Sequence, residues 1–352
     1  MLSSKMSMLQ THLITKKECF ELKSRRYIGN KSKLIKFIKD AVYENCGHIE
    51  SFCDIFAGTG SVSQAFNDSE TKILSNDYLL SNYYALRTFL FHDDSYFESI
   101  VDKINYLNLL KPSSNNYFSI RYGGTFFTKN NAIKIGTIRN AINRITKNQQ
   151  EKEILITSLV YAMDKLANTV GHYDAYRKEC DCIKAIKLKP PQLEKKNKNH
   201  LNQVLQEDAN VLIKNVYSDV IYLDPPYNSR QYCDAYHLLE NLSLWEKPKT
   251  FGKAQKMNRD GMKSEYCLKN ATSAFYDLVI NARCKHIFLS YNNTGNLRNA
   301  RSNARINDND IIKILRKKGR LRIFESKHKE FTTGKSYSTS DHTERLFWCM
   351  VR

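Results

Sequence analysis

The segment VIYLDPPYNSRQY, residues 220–232, ends an apolar run on Asp224, Pro225, Pro226 and Tyr227. Two successive prolines fix φ and remove two backbone donors, which leaves carbonyls free to accept. A carboxylate beside a proline carbonyl is a pair of acceptors. Such a pair suits a nitrogen that carries two N–H donors, as the exocyclic amine of a nucleobase does. Accepting from both N–H bonds draws the nitrogen lone pair out of conjugation and towards an electrophile. Tyr227 adds a face on which a planar base can stack. A plain Pro-Pro turn with Asp as a local cap is the alternative.

A second acidic turn lies upstream, in SFCDIFAGTGSVSQAF, residues 51–66. A short apolar strand is predicted to end near Asp54, followed by a turn with Gly58 and Gly60 and then an amphipathic helix. TKILSNDY, residues 71–78, reads as another short strand ending in Asn76 and Asp77. In an open parallel sheet, ligands bind beyond the C-terminal ends of strands, and a carboxylate after the second strand can accept from a ribose diol. The glycine spacing is GxG, not the dinucleotide GxGxxG. With Asp77 about twenty residues on, the turn predicts a nucleoside cofactor.

These turns need a scaffold of alternating strands and helices. The span Ser51 to Asp77 reads as β-turn-α-β, the opening of a doubly wound, mostly parallel α/β sheet. Before it, Leu34, Ile35, Phe37, Ile38 and Val42 recur at helical spacing, so a helix is predicted from near Lys31. From about Ser81 to Leu205 helical patterns dominate, with 17 Lys/Arg against 8 Asp/Glu between Lys111 and Glu207. Strand and helix then alternate again to the end, ERLFWCMV. PPQLEKKNKNH (190–200) and Lys249 to Asn270 read as loops.

The 352 residues suffice for a sizeable core, and the formal net charge of +19 favours a polyanionic partner. No segment approaches the roughly 18 apolar residues of a membrane span, and the N-terminus lacks a secretory core. A cytoplasmic protein is expected. Cysteines 19, 46, 53, 180, 182, 233, 267, 284 and 349 are scattered without a CxxC. Neither a disulfide framework nor a metal site is expected from that pattern.

DPPYNSRQY together with FCDIFAGTG resembles the D12-class, alpha-group N6-adenine DNA methyltransferases. The resemblance runs from about Arg25 to the end. RYIGNKSKL is similar to that family's N-terminal cofactor motif, which implies that Tyr27 and Lys31 flank S-adenosylmethionine. LSNDY implies Asp77 on the ribose, and QEDANVL implies Asp208 near the cofactor's adenine amine. Asp54, Phe56, Gly58, Gly60 and Asp224 complete the implied cofactor set. YFSIRYGGTFFTKNNAIKIGTIRNAI, NTVGHYDAYRK, YHLLEN, LSYNNTG and ERLFW resemble the subgroup of FokI-type modification enzymes.

The resemblance implies a Rossmann-like catalytic domain over 25–85 and 205–352 and a mainly helical target-recognition domain over 86–204. Residues 1–24 are expected to form a flexible basic lead-in. The implied reaction methylates N6 of an adenine flipped from duplex DNA. Asp224 and Pro225 would accept from the amine, beside Pro226, and Tyr227 would stack on the base. Arg121, Lys129, Arg139, His172, Tyr173, Arg177 and Arg230 are the candidate DNA contacts. Arg298 to Glu330, with 11 Lys/Arg against 4 Asp/Glu, is a candidate phosphate-tracking face. A monomer associated with the bacterial nucleoid is expected, alongside a cognate restriction endonuclease. Methylation of RNA, or DNA binding without catalysis, are the alternatives.

Overall fold

The alternation of strand and helix is realised in a seven-stranded sheet. The computed structural model describes residues 19–92, 94–112, 114–180, 184–193, 201–292, 304–328 and 342–352. In chain order the strands are β1 (Ser51–Asp54), β2 (Lys72–Asn76), β3 (Gln203–Leu205), β4 (Tyr217–Leu223), β5 (Thr250–Phe251), β6 (Lys256–Met257), β7 (Arg283–Asn292), β8 (Gly319–His328) and β9 (His342–Val351). The sheet order is β3-β2-β1-β4-β7-β9-β8, while β5 and β6 form a separate hairpin. Pairs from β3 to β7 are parallel, and β9 runs antiparallel to both its neighbours.

Side chains alternate across this sheet, as the pleat requires. Phe52, Ile73, Val220, Tyr222, Phe288 and Leu346 face one core, covered by α1 (Ile35–Cys46) and α2 (Ser61–Phe66). Cys53, Leu74, Ile221, Leu223, Ile287, Leu289 and Phe347 face the other core. That side is covered by α8 (Ala209–Leu212), α11 (Ala271–Asn281) and α12 (Asp308–Lys318). The predicted doubly wound sheet is therefore present.

A third core belongs to the helices. It joins α3 (Leu80–Leu86), α4 (Phe97–Leu109), α5 (Tyr117–Tyr122), α6 (Lys129–Ile145) and α7 (Gln149–Leu166). It also takes in α9 (Tyr232–Ala235) and α10 (His237–Leu244), which follow the DPPY segment in the chain. Glu240 of α10 accepts from Leu80 N and Ser81 N at 2.9 and 2.8 Å, so it caps the start of α3. The helical region thus shares its core with the segment that follows β4 in the chain.

The structure departs from the sequence reading at several points. Phe20 and Leu22, placed in a flexible lead-in, are buried, and Phe20 bonds to Pro190 and Gln192 through the backbone. Residues 1–18, 194–200, 293–303 and 329–341 lie outside the described residues, and with them most of the lead-in, the lysine run and part of LSYNNTG. Lys249 to Asn270 is not a plain loop, since it holds the β5–β6 hairpin. Of the basic stretch after Arg298, Arg316, Lys317 and Lys318 end α12 just before Gly319, whose partner is Val351. By register that end of the sheet is remote from Leu223 and Asp224.

Arg139 and Tyr173 are corrected as DNA contacts, because both are buried. Arg139 donates to Leu242 O at 2.7 Å and Ser243 O at 3.0 Å, tying α6 to the end of α10. The carbonyl pair at that helix end, with Asn143 Oδ1 at 2.7 Å, accounts for this charge. Arg139→Ala should therefore destabilise the protein by roughly 2 kcal/mol or more, since two buried acceptors lose a charged donor. Exposed Arg177→Ala should leave stability unchanged, and chemical denaturation of the two variants compares them directly.

Candidate active site

The chain steps outward from β1 to β2 and β3 on one side and places β4 on the other. The sheet order therefore reverses between β1 and β4, and a crevice opens at their C-terminal ends. Asp54 is the last residue of β1, and Asp224 directly follows β4. An open pocket lies there, with Gly58 and both acids in its lining. Its lining carries Asp54, Asp77, Glu207, Asp208 and Asp224 against Lys31 and Lys263. Acid outweighs base in this lining, although the chain as a whole is strongly basic.

The two glycines of the turn are required by geometry. Gly58 and Gly60 have φ of 55° and 78°. A Cβ on Gly60 would stand 2.6 Å from Leu86 Cδ2, and one on Gly58 would stand 3.0 Å from Tyr27 Cε1. The turn can thus pass close under Tyr27, which itself stacks on Tyr236 with centroids 4.6 Å apart. Asp77 closes the far side. It accepts from Gly58 N, Leu79 N and Asn82 Nδ2 at 2.9, 2.9 and 3.0 Å. Asn82 also donates to Tyr27 Oη and accepts from buried Arg25 at 2.8 Å. Burial nevertheless raises the Asp77 carboxyl to about 6.

Asp54 is 1% exposed. Its Oδ2 accepts from Ser63 Oγ at 2.8 Å, and Ser75 supports Ser63 in turn. Its Oδ1 has no hydrogen-bond partner among the described residues. Burial, partly offset by Ser63 and reinforced by the nearby Asp224 and Asp77 charges, raises this carboxyl to about 7. Asp224 is raised to about 6 by burial, despite the Lys31 ammonium at 3.0 Å. Burial opposes the charge on Lys31, but attraction to Asp224 and Glu344 outweighs it and raises that pKa.

Several lining residues were not foreseen. Gly261 O accepts from Tyr78 Oη at 2.6 Å, and Ser264 and Gln231 exchange two hydrogen bonds of 2.8 and 3.0 Å. These ties hold Met262, Lys263, Ser264 and Tyr266 against the pocket. The weak periodicity of that segment gave no sign of it. Glu344, at the start of β9, has a buried Oε2 without a partner among the described residues. Its only sequence signal is a charge at the head of an apolar strand.

Most of the predicted cofactor residues come together here. Tyr27, Lys31, Asp54, Phe56, Gly58, Asp77, Asp208 and Asp224 line one pocket, with Pro226 beside them. Gly60 lies just outside the lining, against Leu86. Phe56 meets the edge of Tyr266 at 5.1 Å, and Asp208 caps α8 through Asn210 N and Val211 N. Pro225 is buried, and Tyr227 lies beyond this lining with its ring edge-on to Tyr291. Of the remaining DNA candidates, His172 and Arg230 gather around Asp174, at 3.6 and 3.8 Å, while Arg177 is exposed nearby in sequence. Arg121 and Lys129 sit apart from these in sequence, on α5 and at the start of α6.

The model of the D12 class N6 adenine-specific DNA methyltransferases matches residues 27–301. The type II methyltransferase M.FokI of Planomicrobium okeanokoites is 33% identical over 92% of this chain and 52% of its own length. M.NlaIII of Neisseria lactamica is 32% identical over 76% of this chain and 84% of its own. Modification methylase StsI of Streptococcus sanguinis is 33% identical over 77% of this chain and 44% of its own. The chain thus spans about half the length of M.FokI and StsI.

The raised Asp54 carboxyl gives a signed pH dependence. Unfolded, an Asp titrates near 4. Folded, it holds its proton to about 7. Its contribution to stability is complete below the unfolded value and is lost as pH rises through about 7. Asp54→Asn does not titrate, so its stability relative to the parent should increase from pH 4 to 8 and favour the variant at pH 8. Thermal melts of the ligand-free proteins across that range measure the difference, and a flat difference would show that Asp54 stays ionised.

Proposed function

The chain belongs to the D12 class N6 adenine-specific DNA methyltransferases, and we propose that it methylates adenine N6 within a short duplex DNA sequence as the modification enzyme of a restriction–modification system. The observation that carries this reading is the acidic crevice, whose buried carboxyls lie beside the DPPY acceptors. S-adenosylmethionine fits it. Orphaned Asp54 Oδ1 and the excess of acids over lysines suit a ligand that bears cations, and the glycine turn leaves room for its approach. When bound, that cofactor supplies an electrophilic methyl on a positively charged sulfur.

The chain's own residues do the rest. Asp77 would accept from the ribose hydroxyls, Asp208 would accept from the adenine amine, and Phe56 would provide an apolar wall. Tyr27, Lys31 and Asp54 would hold the amino-acid end. Asp224 and the Pro225 carbonyl accept from the two N–H bonds of the target amine, while Tyr227 stacks on the flipped base. Lys31 keeps Asp224 oriented at 3.0 Å. As the amine nitrogen gains positive charge, the Asp224 carboxylate stabilises it. Its raised pKa of about 6 makes it a better proton acceptor than an ordinary Asp. Burial raises the Cys233 and Cys267 thiols to about 11 and about 12, which fits a reaction without a cysteine nucleophile.

Residues 86–204 carry sequence recognition, with Arg121, Lys129, His172, Arg177 and Arg230 as DNA contacts. The partners are duplex DNA and a cognate restriction endonuclease, and the chain works as a monomer in the bacterial cytoplasm. Asp224→Ala should cut single-turnover methylation at least about a hundredfold, the loss of roughly 3 kcal/mol of transition-state stabilisation. Cofactor affinity should change much less. Labelled methyl transfer to duplex DNA, single strands and RNA, followed by sequencing for N6-methyladenine, tests the reading. Near-normal methylation by Asp224→Ala would reduce DPPY to a turn, and preference for RNA would reject the substrate.

A further inference from the structure

The segment NTVGHYDAYRK after α7 forms a loop that is pinned from several sides. At its base Asn168 and Arg177 exchange two hydrogen bonds of 3.0 Å, and Asn168 also bonds to Thr125 O and Phe126 O at 2.9 Å. On one limb Thr169 is 1% exposed, and its carbonyl accepts from Arg26 at 3.4 Å. On the other limb Tyr173 is wholly buried. Its N–H donates to Ala235 O at 2.7 Å, and its carbonyl accepts from His237 Nε2 at 2.9 Å. Between these anchors the chain turns at Gly171, with φ of 107°, and Val170 is 53% exposed. A stiff, β-branched hydrocarbon is thereby held outward on a fixed support.

The loop is held by residues that neighbour the crevice lining in the chain. Its partners Arg26, Arg230 and Ala235 adjoin the pocket-lining segments Tyr27–Lys31 and Gln231–Cys233. Arg26 pairs with Asp164 and Arg230 with Asp174, Arg177 is exposed, and Val170 is an exposed apolar side chain on the loop these residues hold. A valine gains nothing from phosphates or from water. It gains from an apolar gap, and flipping a base out of a duplex opens one between the neighbouring pairs.

We infer that Val170 fills the gap left in the base stack by the flipped adenine. It is a positioning residue that touches neither the cofactor nor the reacting nitrogen. This rests on the reading of duplex adenine as substrate. The inserted side chain slows the return of the base, so the adenine stays beside Asp224 for longer. Arg26 and Arg230 fix the loop relative to the pocket, which sets the distance between wedge and acceptor.

The test uses the full chain with S-adenosylmethionine and two duplexes carrying the recognised sequence, once sequencing for N6-methyladenine has identified it. In one the target adenine is paired with thymine; in the other it faces an abasic site, where no pair must be broken. Val170→Ala should slow single-turnover methylation of the paired duplex about tenfold or more, a small part of the few kcal/mol that unstacking costs. It should also reduce the fluorescence gain of 2-aminopurine at the target position. On the abasic duplex its rate should lie within about twofold of the parent, because that adenine is already unpaired. Val170→Ile should retain the parental rate on both. An unchanged rate for Val170→Ala on the paired duplex, or an equal loss on the two duplexes, would overturn the inference. Failure of the parent protein on both duplexes would reject the substrate reading and the inference with it.

Discussion

The ion pair between Lys31 and Asp224, 3.0 Å apart and mostly buried, is the interaction around which the catalytic edge is arranged. Two adjacent parallel strands deliver Asp54 and Asp224 to the same end of the sheet, and β2 delivers Asp77 beside them. Desolvation makes each of these charges costly, and each raises the cost of the others. A buried lysine from the segment before α1 offsets part of that cost. Removing one member of such a pair leaves a dehydrated charge, so the N-terminal segment is tied to the sheet by electrostatics as well as by packing.

The same economy explains how the helices are joined to the sheet. Asn82 of α3 bonds to Asp77, Tyr27 and Arg25, so a helix of the third core supports this pocket acid directly. Glu240 caps α3 from α10, and Arg139 ties α6 to the same α10. Tyr27 and Tyr236 stack between the two regions. A helical region coupled through so many buried polar bonds does not pivot freely on the sheet. Its orientation relative to Asp224 is therefore set by the fold.

Local chemistry made the ends of β1, β2 and β4 legible in the sequence. Apolar runs of strand length ran into acids, and glycines stood where φ must be positive. Their neighbourhood in space followed from the rule that ligands bind where strand order reverses. What escaped was the destination of polar side chains in irregular backbone. Arg139 and Tyr173 look the same in a sequence whether they meet DNA or a helix end, and only the packing of α6 and α9 against α10 decides. The segment after β6 has no periodicity because its order comes from Tyr78 and Gln231, which are far away in the chain. Glu344 faces the site only because β9 reverses direction between β7 and β8.

The distribution of charge follows from these constraints. The chain as a whole is strongly positive, with a formal charge of +19, and draws a polyanion to its surface. The pocket beneath is the reverse, with five acids and two lysines in its lining. A phosphate backbone attracted to the rim is repelled from the interior, so an extruded nucleotide can present its base to the crevice while its phosphates stay outside. The acids also bias their own protonation. With Asp54 raised to about 7 and Asp77 and Asp224 to about 6, a cation in the pocket favours the ionised forms of all three together. Asp224 then becomes a full carboxylate most readily when a cation occupies the crevice, and on the proposed reading of Asp224 as the acceptor for the target amine, that occupancy readies it.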